Sequence, residues 1–186
     1  MTDQQLAAAD PLRRPARLWT REEVLARPSP VPATPGIYAW YFPPLSIAVD
    51  GSGCVEVDGR RLLYVGISPT PPPADGTAAS RQQLRSRLRQ HYRGNAAGST
   101  LRLTFADGEP VLSGWMGSHT RVCWMPHPRP WELEQALLAR LDLPLNLDGN
   151  ANHRCYRQRR ELRAQAKATA RALPAWTPPL PPQHRA

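Results

Sequence analysis

The sequence predicts an α/β domain of the α+β type, in which an antiparallel sheet is combined with amphipathic helices. Two segments rich in aromatic and β-branched residues, 36–42 and 62–66, are typical of paired strands. Two Asp-Gly pairs, at positions 50 and 58, lie between them and are strong hairpin signals. Later in the chain, leucines recur at helical spacing and predict helices that pack an apolar face against the sheet.

The composition is that of a small basic protein. Its 186 residues fit one domain with appendages, and 24 lysines and arginines against 15 acidic residues give a formal charge of +9. Such an excess favours a polyanionic partner, foremost nucleic acid. The sequence has neither an apolar run long enough to cross a bilayer nor a signal-peptide core, so we expect a cytoplasmic protein without a membrane partner. Its oligomeric state is left open.

Residues 1–34 are predicted to form a leader with one short helix. The Ala-, Pro- and Arg-rich residues 1–18 lack periodicity, and we expect them to be flexible. Thr20 and Glu23 match a capping box, in which each side chain accepts a hydrogen bond from the other residue's amide. A helix should therefore follow Thr20 and end before Pro28.

A further helix is predicted over residues 81–92, after a loop at 68–79 that is rich in proline and small residues. Ser80 is the expected N-cap, and Gly94 is the expected end of the helix. Three large side chains at helical spacing form its apolar stripe: Leu84, Leu88 and Tyr92.

The cationic residues of this helix fall into two groups. Arg87 and His91 stand one turn apart along the border of the apolar stripe, so they should point toward the sheet margin. Arg85 and Arg89 lie on the other side and are either solvated or in contact with phosphates. Together with Arg93 they are candidates for binding nucleic acid.

The second half of the chain predicts a short helix at 99–105, a third strand at 120–125 and a helix over 130–141 that begins with a proline. Glu134 falls inside the apolar arc of this last helix, whereas Glu132 falls on its outer face. A carboxylate in an apolar arc is costly unless it is paired, protonated or bound to a cation. Glu134 is therefore the unusual acid.

The C-terminal part is strongly basic. Residues 151–173 predict an Arg-rich helical extension in which Glu161 is the single acid, and residues 174–186 predict a disordered, Pro-rich tail. The charge run is either a solvated face or a surface that binds a polyanion. Three arginines are candidates for nucleic-acid contacts: Arg154, Arg157 and Arg160.

The tyrosines and polar residues, in their order and spacing, resemble the GIY-YIG nuclease family over residues 35–150. Any one half-motif is weak evidence, but six positions in order are strong evidence. The matching positions are Gly36-Ile37-Tyr38, Tyr64-Val65-Gly66, Arg87 with His91 four residues later, Glu134 with Leu137, Leu138 and Leu141, and Asn146. The gap between Tyr38 and Tyr64 is longer than is usual in the family, which we interpret as an inserted hairpin.

The resemblance implies a three-stranded antiparallel sheet flanked by helices, here with that inserted hairpin and a basic C-terminal helix. It further implies an endonuclease that hydrolyses phosphodiester bonds, with DNA as the expected substrate. A single divalent cation, Mg²⁺ or Mn²⁺, would be held by the oxygen ligand Glu134. Arg87 would hold the charge of the transition state.

The resemblance also implies roles for the remaining motif residues. A motif tyrosine, with its pKa depressed by a nearby cation, would act as the base or position the attacking water. Tyr38 is the preferred candidate, and Tyr64 and His91 would share proton transfer and phosphate contacts. Asn146 would orient Glu134 or a water on the metal.

Two other hypotheses remain. The chain could be a nucleic-acid-binding or regulatory module on the same fold without catalysis, or a basic partner-binding protein that merely uses the sheet. Tyr38, Arg87 and Glu134 are all present, and this favours the enzyme. A pure binding module has no need of a carboxylate on an apolar helix face.

Overall fold

A computed structural model describes residues 7, 9–44, 50–78, 80–93 and 115–172. Within these residues the chain forms an α+β fold, as the sequence predicts. The strands are β1 (Gly36–Phe42), β2 (Glu56–Val57), β3 (Arg60–Ser68) and β4 (Arg121–Pro126). The helices are α1 (Asp10–Arg13), α2 (Arg21–Leu25), α3 (Leu84–Arg93), α4 (Pro130–Leu138) and α5 (Tyr156–Ala172).

The sheet has four strands in the order β2-β3-β1-β4, and every neighbouring pair is antiparallel. The prediction of three strands was one short, because β2 adds a two-residue ladder to β3 across a tight turn. Asp58 and Gly59 form that turn with φ angles of 50° and 66°. Two consecutive positive φ angles are what a two-residue hairpin requires, so the Asp-Gly signal at position 58 is confirmed.

Alternation along β1 divides the core into two layers. Tyr38, Trp40 and Phe42 lie in one cluster, which includes the buried leucines of α3. The intervening residues lie in a second cluster with α4 and α1: Ile37, Ala39 and Tyr41. The sheet is therefore covered on both faces, and all seven residues of β1 are buried.

The first described segment is packed, contrary to the flexible leader expected for residues 1–18. Ala9 and Leu12 are fully buried against the second face of the sheet. The hydroxyl of Tyr41 donates a hydrogen bond of 2.8 Å to the Leu12 carbonyl. Because α1 has only four residues, its sequence is too short to show a helical period.

The capping box of α2 is confirmed. The Thr20 hydroxyl accepts a hydrogen bond of 3.3 Å from the Glu23 amide. The Glu23 carboxylate accepts one of 2.8 Å from the Thr20 amide. The helix ends at Leu25, before Pro28, as expected.

Helix α3 begins three residues later than predicted, and Ser80 does not cap it. The amide of Leu84 instead donates a hydrogen bond of 3.0 Å to the Thr34 carbonyl. The Ser86 hydroxyl accepts one of 3.2 Å from the Gln83 amide. A partner distant in sequence has replaced the local cap.

The remaining elements lie close to their predicted positions. Strand β4 is displaced by one residue, and α4 ends at Leu138, three residues early. The predicted helix at 99–105, Gly94 and the tail lie outside the described residues. Among those residues, none of the helices combines the length and apolar character needed to cross a membrane.

Candidate active site

The centre of the site is the hydroxyl group of Tyr38 on β1. This side chain is fully buried, and its oxygen lies 2.7 Å from Nε2 of His91. Arg87 donates from Nε to the same oxygen at 3.3 Å. Helix α3 supplies both partners because residues four apart lie one above the other on a helix. Its buried leucines hold that edge of the helix over β1.

The motif glycines are explained by close approach of their neighbours. Gly66 on β3 pairs with Tyr38 on β1. A β-carbon at position 66 would lie 2.5 Å from the Tyr38 hydroxyl oxygen, far inside van der Waals contact. At Gly36 it would overlap the Met125 carbonyl oxygen and the Leu84 side chain. The first glycine thus allows α3 to approach, and the second leaves space for the tyrosine.

Tyr64 is the second aromatic side chain of the site. It pairs with Trp40 and lies on the same face of the sheet as Tyr38. The two tyrosine rings have centroids 6.5 Å apart and an interplanar angle of 40°. Burial, reinforced by Tyr38, raises the pKa of Tyr64 well above its ordinary value. Tyr64 is therefore a neutral hydroxyl at physiological pH.

Burial also raises the pKa of Tyr38, while the neighbouring Arg87 opposes this rise. This direction differs from the depressed pKa that the family resemblance implies, because loss of water around the buried phenol outweighs the charge of Arg87 beside it. Burial lowers the pKa of Arg87, yet Tyr38, Tyr64 and Glu134 together raise it. The guanidinium therefore stays charged.

Glu134 projects from α4 and acts electrostatically on both tyrosines and on Arg87. Burial, together with the charge of Asp148 and against that of Arg87, raises the pKa of Glu134 to about 7. Glu134 forms neither a hydrogen bond nor a salt bridge with any residue that the structure describes. The side chain of Glu132, in contrast, is 41% exposed, and its carboxylate lies 3.0 Å from Nη1 of Arg129.

Asn146 is close to the site but does not make the contacts expected of it. Its side-chain oxygen accepts a hydrogen bond from the Val65 amide, and its Nδ2 donates to the Val65 carbonyl, both at 2.9 Å. The preceding Leu145 amide also bonds to the Leu63 carbonyl. Asn146 therefore holds β3 in place beside Tyr64, and its amide is committed to the main chain rather than to Glu134.

Asp148 is a residue that sequence reasoning missed. Its side chain is 85% exposed, and its charge raises the pKa of both Glu134 and Tyr64. The available signal was a carboxylate two residues after a motif asparagine. The effect of Asp148 on Glu134 and Tyr64 depends on the tertiary position of the chain after Asn146, which no local pattern predicts.

Some of the arginines predicted to bind nucleic acid have partners within the protein, and others are exposed. Arg85 donates to the Val31 carbonyl at 2.7 Å, and Arg154 lies 2.7 Å from Asp142 and 3.1 Å from Asp50. Both have structural partners. Arg89 is half-buried. Three candidates remain exposed: Arg93, Arg157 and Arg160.

The donor set beside Glu134 fits a hard divalent cation. No cluster of three or more His, Cys, Asp or Glu side chains suited to a metal ion occurs in the described part of the chain. Mg²⁺ is commonly held by one or two carboxylates while it keeps several waters. A half-buried carboxylate without a hydrogen-bonding partner, with Asp148 nearby, matches that pattern.

Comparison with known proteins gives the family. No curated protein and no solved structure matches the chain. A sequence model described as the GIY-YIG catalytic domain matches residues 36–107 and 103–169, well over half of the chain. The match includes both tyrosine half-motifs and Glu134, so nuclease activity and a nucleic acid substrate are indicated. The chain belongs to the GIY-YIG catalytic domain family.

Proposed function

We propose that the protein is a divalent-metal-dependent endonuclease that hydrolyses phosphodiester bonds in DNA. The observation that carries the proposal is the Tyr38 hydroxyl, which is held between His91 Nε2 and Arg87 Nε. Its electrostatic neighbour is the carboxylate of Glu134. A phenol, an imidazole, a guanidinium and a carboxylate together provide the groups needed for hydrolysis of a phosphodiester.

The hydrogen bonds around Tyr38 suggest a route for the proton. Because Arg87 Nε can only donate, the Tyr38 oxygen accepts this bond and can donate its own hydrogen to His91 Nε2. As an attacking water approaches, Tyr38 would take its proton and pass the phenolic proton to His91. Arg87 would stabilise the transient phenolate. This relay avoids a long-lived phenolate, which burial disfavours.

Arg87 has a second role in this proposal. Its Nε is used by Tyr38, and its two terminal nitrogens can face the phosphate, where a planar guanidinium can contact two oxygens. The trigonal bipyramidal transition state carries more negative charge than the substrate. A fixed cation beside it therefore stabilises the transition state more than the ground state.

Glu134 would hold the divalent cation, which supplies charge neutralisation at the scissile phosphate and the leaving oxygen. Binding of a cation also explains why the chain keeps a half-buried carboxylate whose burial is otherwise unfavourable. The formal charge of +9 supports binding of a phosphate backbone.

The test is cleavage of supercoiled plasmid, a single-stranded DNA and an RNA of the same sequence, each with Mg²⁺, Mn²⁺ or a chelator. We expect metal-dependent cleavage of DNA, which Glu134→Gln abolishes and Glu132→Gln leaves intact. The second variant is the matched control because Glu132 lies on the same helix and pairs with Arg129, outside the site. Binding without cleavage on every substrate would instead favour a non-catalytic module, and preferred cleavage of RNA would correct the substrate.

A further inference from the structure

Three side chains on α5 form a ridge between two neighbouring grooves. Tyr156, Arg160 and Ala164 are spaced four residues apart, and all three line both grooves. The larger groove has a volume of about 610 Å³ and extends toward Asn152. The smaller has a volume of about 350 Å³ and is lined by Asp148.

The smaller groove adjoins the candidate active site. Leu147 and Asp148 form its wall, and they directly follow Asn146, which is bonded to the strand that carries Tyr64. Asp148 lies within electrostatic range of Glu134. Its carboxylate is also 3.8 Å from Nη1 of Arg163. Asp148 therefore links the surroundings of Glu134 to the groove beside the ridge.

The ridge offers uncompensated positive charge. Arg157 and Arg160 are exposed, and neither forms an ion pair with a residue that the structure describes. Arg154, which lines the larger groove, is neutralised by two aspartates. Glu161 is the one acid that lines the larger groove within the described region. Two arginines on consecutive turns can follow the phosphates of one strand.

Tyr156 adds an aromatic surface at the start of the ridge. Its ring is half-buried, and its hydroxyl bonds to none of the described residues. An aromatic ring beside arginines is the usual combination for binding single strands, where bases stack on the ring and phosphates contact the cations. Bases in a duplex are already stacked on each other, so only an unpaired strand gains from the ring.

We propose that the ridge formed by Tyr156 and Arg160 binds an unpaired strand of nucleic acid beside the scissile bond, with Arg157 on the neighbouring phosphate. The inference rests on the proposed function of the site, since it places the strand relative to that bond. It assigns substrates with single-stranded character, such as flaps, forks or loops, to this nuclease.

The test is fluorescence anisotropy with a labelled oligothymidylate of about 20 nucleotides and a duplex of equal length, in chelator so that no turnover occurs. We expect Tyr156→Ala to weaken binding of the single strand about tenfold and to leave duplex affinity within about twofold. Tyr156→Phe should retain affinity. Arg160→Ala should lower the slope of log affinity against log salt by about one.

Arg14→Ala is the matched control, because it removes an exposed arginine next to α1 that lines neither groove. Equal losses on single strand and duplex in Tyr156→Ala, or no loss beyond that of Arg14→Ala, would overturn the inference. Circular dichroism checks that each variant is folded. A protein that binds through Tyr156 but never cleaves would refute the proposed hydrolysis alone. Cleavage at an unchanged rate in both Tyr156→Ala and Arg160→Ala would refute this inference alone.

Discussion

Tyr38 differs from an ordinary strand tyrosine because two side chains from one helix converge on its oxygen. One of them, Arg87, can only donate a hydrogen bond, and the other, His91, accepts the phenolic hydrogen when Nε2 is the unprotonated ring nitrogen. The neutral phenol of Tyr38 therefore lies between the guanidinium of Arg87 and the imidazole of His91. Its reactivity depends on contacts made at the sheet face, not on exposure to solvent.

Removal of this hydroxyl tests its chemistry directly. We expect Tyr38→Phe to lower kcat for DNA cleavage by about 10²- to 10⁴-fold, the range for loss of a general base, with a small change in KM. Tyr41→Phe is the control: its hydroxyl bonds to the Leu12 carbonyl on the opposite face. That variant should lose about 1 kcal/mol of stability and no activity. Equal cleavage by both variants would exclude Tyr38 from proton transfer.

Glu134 predicts a pH dependence with a definite sign. Its folded pKa of about 7 exceeds the ordinary 4.5, so the stability it contributes is complete below pH 4.5 and is lost as pH rises through 7. The loss is on the order of 3 kcal/mol. A cation requires the ionised form, and therefore Mg²⁺ affinity should rise as pH increases through 7.

Calorimetry in buffers of different ionisation enthalpy measures this coupling. Near pH 6 we expect binding of Mg²⁺ to release close to one proton, and at pH 8.5 almost none. In Glu134→Gln, chemical denaturation without metal should show a flatter pH profile between pH 5 and 8. An unchanged profile in that variant would show that another group titrates there.

At the scale of elements, the segment after α4 is bonded to β3 through the side chain of Asn146 and the amide of Leu145. We expect Asn146→Ala to lower the free energy of unfolding by about 1–3 kcal/mol, because the Val65 amide and carbonyl both lose a buried partner. Urea denaturation measures the change. The variant should also lower kcat through displacement of Tyr64, with the pH profile of cleavage unaltered. A shifted profile would indicate that Asn146 touches the reacting groups.

Elements defined by local pattern were predictable from the sequence. Strand β1 has the predicted bounds, and the capping box of α2 forms as expected, because both depend on neighbouring residues. The failures depend on distant partners. The first amide of α3, that of Leu84, donates its hydrogen bond to the Thr34 carbonyl. The side chain of Asn146 bonds to Val65, which is 81 residues away in sequence. Neither pairing has a signal within a local window.

The motif residues of the site also divide into features that a local pattern predicts and features that depend on distant partners. Helical spacing placed Arg87 and His91 on one edge of α3, and the apolar arc of α4 identified Glu134. The part played by Asp148 and the rise in the pKa of Tyr38 follow from how four elements meet. Both require the tertiary arrangement, because burial and through-space charge determine them.

At the scale of the whole molecule, stability depends on both layers over the sheet. We expect Leu12→Ala to lower the free energy of unfolding by about 2–5 kcal/mol, since this fully buried side chain belongs to the second core cluster. Leu162→Ala, at a leucine that is 37% exposed, should change stability by less than about 0.5 kcal/mol. Thermal and urea unfolding give both values. A Leu12→Ala variant as stable as the control would mean that α1 does not pack on the sheet in solution.

The backbone bridge between Trp19 and β4 limits how two copies of the protein could pair through their sheets. The Trp19 amide donates to the Val122 carbonyl at 2.8 Å, and the Val122 amide donates back at 3.0 Å. That edge of the sheet is thus already paired near the start of β4, and the opposite edge is the two-residue β2. Within the residues that the structure describes, neither edge offers a long free strand for a second copy to extend. A pair of molecules that cuts both strands of a duplex must therefore associate through helices or loops, and the distance between the two nicks would be set by those contacts.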